Sequence, residues 1–197
     1  MKRSVLLVAP YAVWMVMMAV LPQTAWAYAA RGAATAALLL AAAAADRGVY
    51  ASRGRTLSPA AQLAAGVAVG IAVFVAWIAP EAWFGVGQTV AAADSPYSPQ
   101  VCGWGLTVAK IAASAFVISV AEELFFRKWL VGFAGFWWMV ALFAVEHGDR
   151  WHVGALAGVA YGLLAERAGL WSAIAAHATT NLVLGLYVVT CGEWRFW

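Results

Sequence analysis

The chain has 197 residues, 65% of them hydrophobic and only 11% charged, with a mean hydropathy of +0.81. Soluble domains are roughly 45–50% apolar and about a quarter charged, so an ordinary soluble domain is excluded, as are a disordered chain and, with only two cysteines, a disulfide-stapled scaffold. The net charge of +3 does not point to nucleic acid, because the basic residues sit at the ends of apolar runs, where they orient helices in a bilayer.

Spanning a bilayer takes about 20 apolar residues. In chain order the apolar runs are Ser4–Leu21, Thr24–Ala45, Ala60–Ala79, Trp104–Val131, Phe136–His147, His152–Ala165 and Leu170–Thr190. The fold class is therefore all-α, a polytopic membrane helix bundle of about seven transmembrane helices. The fifth and sixth runs are short. Between the third and fourth lies Pro80–Gly103, whose Glu81, Asp94, Pro96 and Pro99 mark an extramembrane loop with a short interfacial piece around Trp83–Phe84.

With the N-terminus inside, Lys2, Arg3, Arg47, Arg53, Arg55, Arg127, Lys128 and Arg167 face the cytoplasm. Only Arg150 and Arg195 face outward, while Arg31 and Lys110 lie within spans. The basic-residue bias thus favours N-in and C-out. Lys2-Arg3, the apolar stretch and Ala25-Trp26-Ala27 resemble a signal peptide. The stretch is long for one and holds Pro10 and Trp14; its removal would leave six spans and the same orientation. The chain reads as one membrane domain, 1–197, with N-terminal spans and outer loop in 1–103 and a chemically active helix core in 104–190.

Ionisable groups inside apolar spans are costly and each is a functional hypothesis. The first half carries little beyond Arg31, whereas the second concentrates Glu122, Glu123, Arg127, Glu146, His147, His152, His177 and Asn181. Three spacings stand out: E-E-x-x-x-R from Glu122 to Arg127, F-x-x-x-H from Phe143 to His147, and H-x-x-x-N from His177 to Asn181. Residues four apart share a helix face, so Glu123 can pair with Arg127. Glu122 and Glu123 diverge by about 100° and cannot play the same part. With turns near Gly132–Gly135 and Glu166–Gly169, Glu122 and His147 lie roughly 16 and 21 Å from one membrane surface, and His177 and Asn181 roughly 12 and 18 Å. The groups share a layer nearer the cytoplasmic face.

A carboxylate, two imidazoles and a carboxamide at one depth suit attack by water on a carbonyl. The carboxylate takes the proton as general base, one histidine holds the water and relays the proton, and a histidine with the Asn amide donates to the oxyanion. No Ser or Cys of the second half has nucleophile context. The residues also permit a zinc site of Glu122, His147 and His177 with a bound water, although no H-E-x-x-H is present. A non-catalytic peptide-binding or immunity module is a further alternative. Other features read as structural. Glu146 and His152 flank the outer loop as solvated or supporting groups. Arg31 and Lys110 snorkel or pair within the bundle, and Gly154, Gly158 and Gly162 allow close packing of the sixth helix. Trp137, Trp138, Trp151, Trp171, Trp194 and Trp197 anchor the interface, and Cys102 and Cys191 share the outer side, where a disulfide could form.

The three motifs in this order on successive helices resemble those of the CAAX protease and bacteriocin-processing family, glutamic-type intramembrane endopeptidases, over roughly Val108 to Leu186. Gly169-Leu170-Trp171 leading into Ala176-His177 is similar to the family's approach to its last motif. The resemblance implies that Glu122 is the base, acting with His147 on the water. It implies too that His177 and Asn181 stabilise the oxyanion, that Glu123, Arg127 and Phe143 support them, and that no cofactor or metal takes part. It implies a membrane-anchored protein or peptide as substrate. The stretch from Glu122 to His147 is shorter than is usual, which makes the intervening turn tight and bears on cavity size. The small size and the ending Thr180-Asn181-Leu182…Gly192-Glu193-Trp194 resemble compact bacterial members that accompany exosortase-type sorting systems. The Ala-rich composition suits a bacterial inner membrane.

Overall fold

The computed structural model describes residues 3–52, 56–84 and 90–197, without the side chains of 81–84. Lys2, Arg53, Arg55 and the Glu81 side chain, which entered the reading above, lie outside them. Every regular element described is helical. We number the helices α1 (Arg3–Val20), α2 (Ala25–Ala45) and α3 (Pro59–Phe84). Then come α4 (Pro99–Ala134), α5 (Phe136–Val145), α6 (Trp151–Arg167) and α7 (Leu170–Cys191). Five of them, α1, α2, α3, α4 and α7, are long and apolar enough to cross a membrane, and the chain is an integral membrane protein.

Local signals set the boundaries. The Thr24 hydroxyl accepts a hydrogen bond from the Ala27 amide at 3.3 Å and starts α2. Pro99 occupies the first turn of α4, where its missing N–H leaves nothing unpaired. The expected turn after Glu122 is a single residue, Gly135 at φ 91°. A side chain there would clash with the backbone, so glycine alone turns α4 directly into α5. Pro80 does not end α3, which runs on to Phe84; the interfacial piece expected at Trp83–Phe84 is thus the last turn of that helix.

Two differences from expectation bear on the site. α5 has ten residues, about 15 Å long and half a bilayer's hydrocarbon thickness, so it does not cross alone, and Glu146 and His147 lie in the turn beyond it. α4, in turn, is interrupted by two π-helical stretches, Ser114–Ile118 and Leu124–Leu130, on either side of Glu122 and Glu123. Such insertions free backbone carbonyls and rotate the residues that follow. The freed Ser114 carbonyl takes the Asn181 amide at 3.0 Å and the Ser119 hydroxyl at 2.9 Å.

α7 lies at the centre. α3 packs along it closely enough that a Cβ at Gly66 would come 2.5 Å from the Ala175 Cβ and one at Gly70 2.5 Å from the Ala176 carbonyl. The glycine ladder expected on α6 serves α5: a Cβ at Gly154 would stand 3.0 Å from His147, and one at Gly162 2.7 Å from Phe136. α1 buries Leu6, Leu7, Tyr11 and Trp14 in the same core as Leu124, Phe126, Met139, Phe143 and Tyr161.

One end of the bundle collects basic groups. Arg3 pairs with Asp46 at 2.9 Å, and the Lys128 ammonium donates to the carbonyls of Gly48, Val49 and Ala51. Arg31 does not snorkel. It is 1% exposed, with its guanidinium 5.2 Å from the Tyr28 ring and 5.5 Å from Trp14. Lys110 is likewise buried, its ammonium 4.0 Å from Tyr28, 4.4 Å from Tyr97 and 4.9 Å from Trp197. Trp137, Trp138, Trp151 and Trp171 are exposed as interface anchors would be, but Trp194 is buried and closes the end of the bundle instead. Cys102 and Cys191 are free thiols.

Candidate active site

The residues singled out from the motifs meet around a cavity of about 170 Å³, lined by Glu122, Phe143, His147, His177 and Asn181 together with Trp77, Tyr161 and Thr180. Three elements supply the motif residues: α4 the glutamates, α5 and its turn Phe143 and His147, and α7 His177 and Asn181. The space suits a few waters and is too small for a peptide, so a substrate would have to part the helices to enter.

Glu122 and Glu123 face different surroundings, as their angular separation requires. Glu122 looks into the cavity. Glu123 is fully buried, with Oε2 3.1 Å from the Arg127 Nε and Oε1 2.9 Å from the His177 Nδ1. The carboxylate thus accepts from the Nδ1–H of His177, leaving Nε2 to point at Glu122, whose Oε2 lies 3.7 Å away. Glu123 therefore does more than tie helix to helix: it sets the tautomer and direction of the imidazole. The Arg127 guanidinium also stands 4.1 Å from the Phe143 ring centre, which explains the aromatic residue four before His147. Its other side borders a second cavity of about 310 Å³, lined by Ser52, Lys128 and Glu166 among others.

His147 is held from its own helix. Its Nδ1–H donates to the Phe143 carbonyl at 2.6 Å, so Nε2 is the nitrogen left for chemistry. The Trp77 ring meets the imidazole edge-on at 5.2 Å. Asn181 turns its amide N–H groups toward α4, at 3.0 Å from the Ser114 carbonyl and 3.2 Å from the Ser119 hydroxyl.

Several site residues escaped the motif reading. Tyr161 stacks on His177 at 5.1 Å and 25°, and its hydroxyl lies 2.6 Å from that of Thr180, which in turn donates to the Gly70 carbonyl at 2.9 Å. A tyrosine and threonines inside apolar helices were the available signal. Trp77 offered none, being one apolar residue among many. Of the two roles open to Glu146, solvated or supporting, its surroundings fit the second: it is largely buried, and the Tyr11 hydroxyl of α1 donates to its Oε2. His152 lies exposed at the start of α6.

Among the described residues no three His, Cys, Asp or Glu side chains are arranged to hold a metal ion. The His177 Nδ1 and His147 Nδ1 are engaged by Glu123 and the Phe143 carbonyl, which leaves the Nε2 of each ring open.

A helical membrane bundle with carboxylates and imidazoles gathered in a buried cavity holds the groups that acid–base chemistry on water needs. Residues 104–183 match the family described as type II CAAX prenyl endopeptidase Rce1-like. Over this helical core, though not over the rest of the chain, the protein is similar to that family of endopeptidases. Comparison with curated proteins and with solved structures gave no match.

Proposed function

We propose that the protein is a glutamic-type intramembrane peptidase that hydrolyses a peptide bond in a membrane-anchored protein. The observation that carries this reading is the pairing of Glu122 with the His177 Nε2 at 3.7 Å, in a cavity that His147 also lines. Glu122 takes a proton from water as the oxygen attacks the carbonyl carbon. His147 holds that water through Nε2, takes the proton on from Glu122 and delivers it to the leaving nitrogen as the C–N bond breaks. His177, aimed by Glu123 and carrying a second proton on Nε2 as imidazolium, donates that N–H to the oxyanion. Asn181 joins it once the substrate draws its amide from Ser114 and Ser119. One water is consumed, and a carboxylate and an amine are formed.

The active layer lies nearer the end that carries Arg3, Asp46 and Lys128, which the basic-residue bias makes cytoplasmic. A bacterial inner membrane, and a sorting or maturation substrate in place of a prenylated one, fit the compact chain. The test is mass spectrometry of membrane-protein termini in cells carrying the parent protein or Glu122→Ala. Termini that vanish in the variant identify substrates; an unchanged set would sink the assignment. Activity that survives strong chelators would separate this mechanism from a zinc-dependent one.

A further inference from the structure

Glu146 and Tyr11 stand 135 positions apart in sequence, and no motif relates them. The Tyr11 hydroxyl donates to Glu146 Oε2, while its ring packs on Phe125 at 4.6 Å and Phe126 at 5.4 Å. Glu146 Oε1 is buried and makes no hydrogen bond among the described residues. It lies 3.9 Å from the His147 Nδ1. A buried carboxylate left with one idle oxygen is costly unless a positive charge is formed nearby at some stage. We propose that Tyr11 and Glu146 are a positioning pair for His147. Tyr11 holds the Glu146 carboxylate beside the imidazole, where its negative charge stabilises the imidazolium formed when Nε2 takes up a proton.

The division of labour follows from the geometry. The Phe143 carbonyl, at 2.6 Å, orients the ring; Glu146, at 3.9 Å, is too far for a hydrogen bond and acts through charge alone. The role of His147 as relay rests on the peptidase reading above: Nε2 gains a proton and gives it to the leaving nitrogen as the C–N bond breaks. Across the cavity His147 faces Glu122 of α4, His177 of α7 and the uncharged rings of Trp77 and Tyr161, with the Glu123–Arg127 pair beyond them. Arg127 is matched by Glu123, and Glu122 stands by the His177 Nε2, so Glu146 is the carboxylate on the Nδ1 side of His147. Tyr11 lies outside the matched residues 104–183, so α1 completes the site from beyond the family core.

Imidazole carbon NMR on full-length protein in lipid nanodiscs tests this, with His152→Gln and His177→Gln used to assign the His147 signal. The midpoint of the His147 titration should fall by about one pH unit in Glu146→Gln, the effect of removing an opposite charge at this range. Tyr11→Phe keeps the ring packing and should shift it the same way by less. Glu146→Asp should stay near the parent. Coincident titrations in the parent, Glu146→Gln and Tyr11→Phe would overturn the proposal. The measurement needs no substrate, so its failure is distinct from that of the peptidase reading, which the Glu122→Ala comparison decides.

Discussion

Buried charge is accommodated in two ways in this bundle. Around the cavity, Arg127 forms an ion pair with the Glu123 carboxylate at 3.1 Å, and Glu123 takes a hydrogen bond from His177 at 2.9 Å, so a charge-paired carboxylate aims an imidazole through a directional bond. At the other site, Arg31 of α2 and Lys110 of α4 lie against the faces of Trp14, Tyr28, Tyr97 and Trp197, and neither has a carboxylate at ion-pair distance among the described residues. Ring faces attract cations from a broad range of directions and fix no proton. The first arrangement can run acid–base chemistry. The second ties α1, α2, α4 and the C-terminal turn together through contacts that aim no imidazole.

Substitutions can break or sharpen that contrast. The largest effect belongs to the cavity. Glu122→Ala or His177→Ala should lower cleavage by about 10²–10⁴-fold, the usual worth of a general acid or base, in protein that still inserts and folds. Arg127→Met and Arg31→Met should then part company in thermal unfolding. Losing Arg127 strands the fully buried Glu123 and should cost about 3–5 kcal/mol. Losing Arg31 strands no opposite charge and should cost no more than the cation–ring contacts, about 2 kcal/mol. Equal losses would mean that the two sites are not differently built. Next comes the α3–α7 seam: Gly70→Ala should destabilise by about 1–3 kcal/mol through overpacking, whereas Gly105→Ala, which meets open space, should leave the melting temperature unchanged. The smallest effect is expected for Lys110→Met, whose cleavage rate should stay within about twofold of the parent, since well-separated sites with no shared partner act independently.

The same contrast explains how much was legible in the chain. Glu123–Arg127 and the separate part of Glu122 follow from helix geometry over four residues, and they are found. Gly135 and the α6–α7 turn before Leu170 fall where turn chemistry places them. The glycine ladder of α6 was legible as close packing, but the equivalent pair Gly66 and Gly70 was lost in an apolar run with no polar neighbour to mark its face. Arg31 and Lys110 were visible as oddities, yet their partners are aromatic rings scattered from Trp14 to Trp197, and aromatic residues are so frequent here that none stands out. Glu146 is open to either a solvated or a supporting role in the sequence, because its place beside a Gly-Asp-Arg turn suggests water. The shortness of α5 instead keeps that turn inside the bundle, within reach of Tyr11.

By itself the sequence determined that the protein lives in a membrane, the approximate limits of its seven helices, and the layer at which Glu122, His147, His177 and Asn181 lie. These depend on apolar run length, helical period and rise per residue, which are local properties of the chain. Only the tertiary structure decided which nitrogen of each histidine is free, that Glu123 aims His177, that π-helical turns let Asn181 hold α4, and that Tyr11 reaches Glu146. Each of those depends on the rotation and approach of helices far apart in the chain, and that is set by how glycines, rings and buried charges pack against one another.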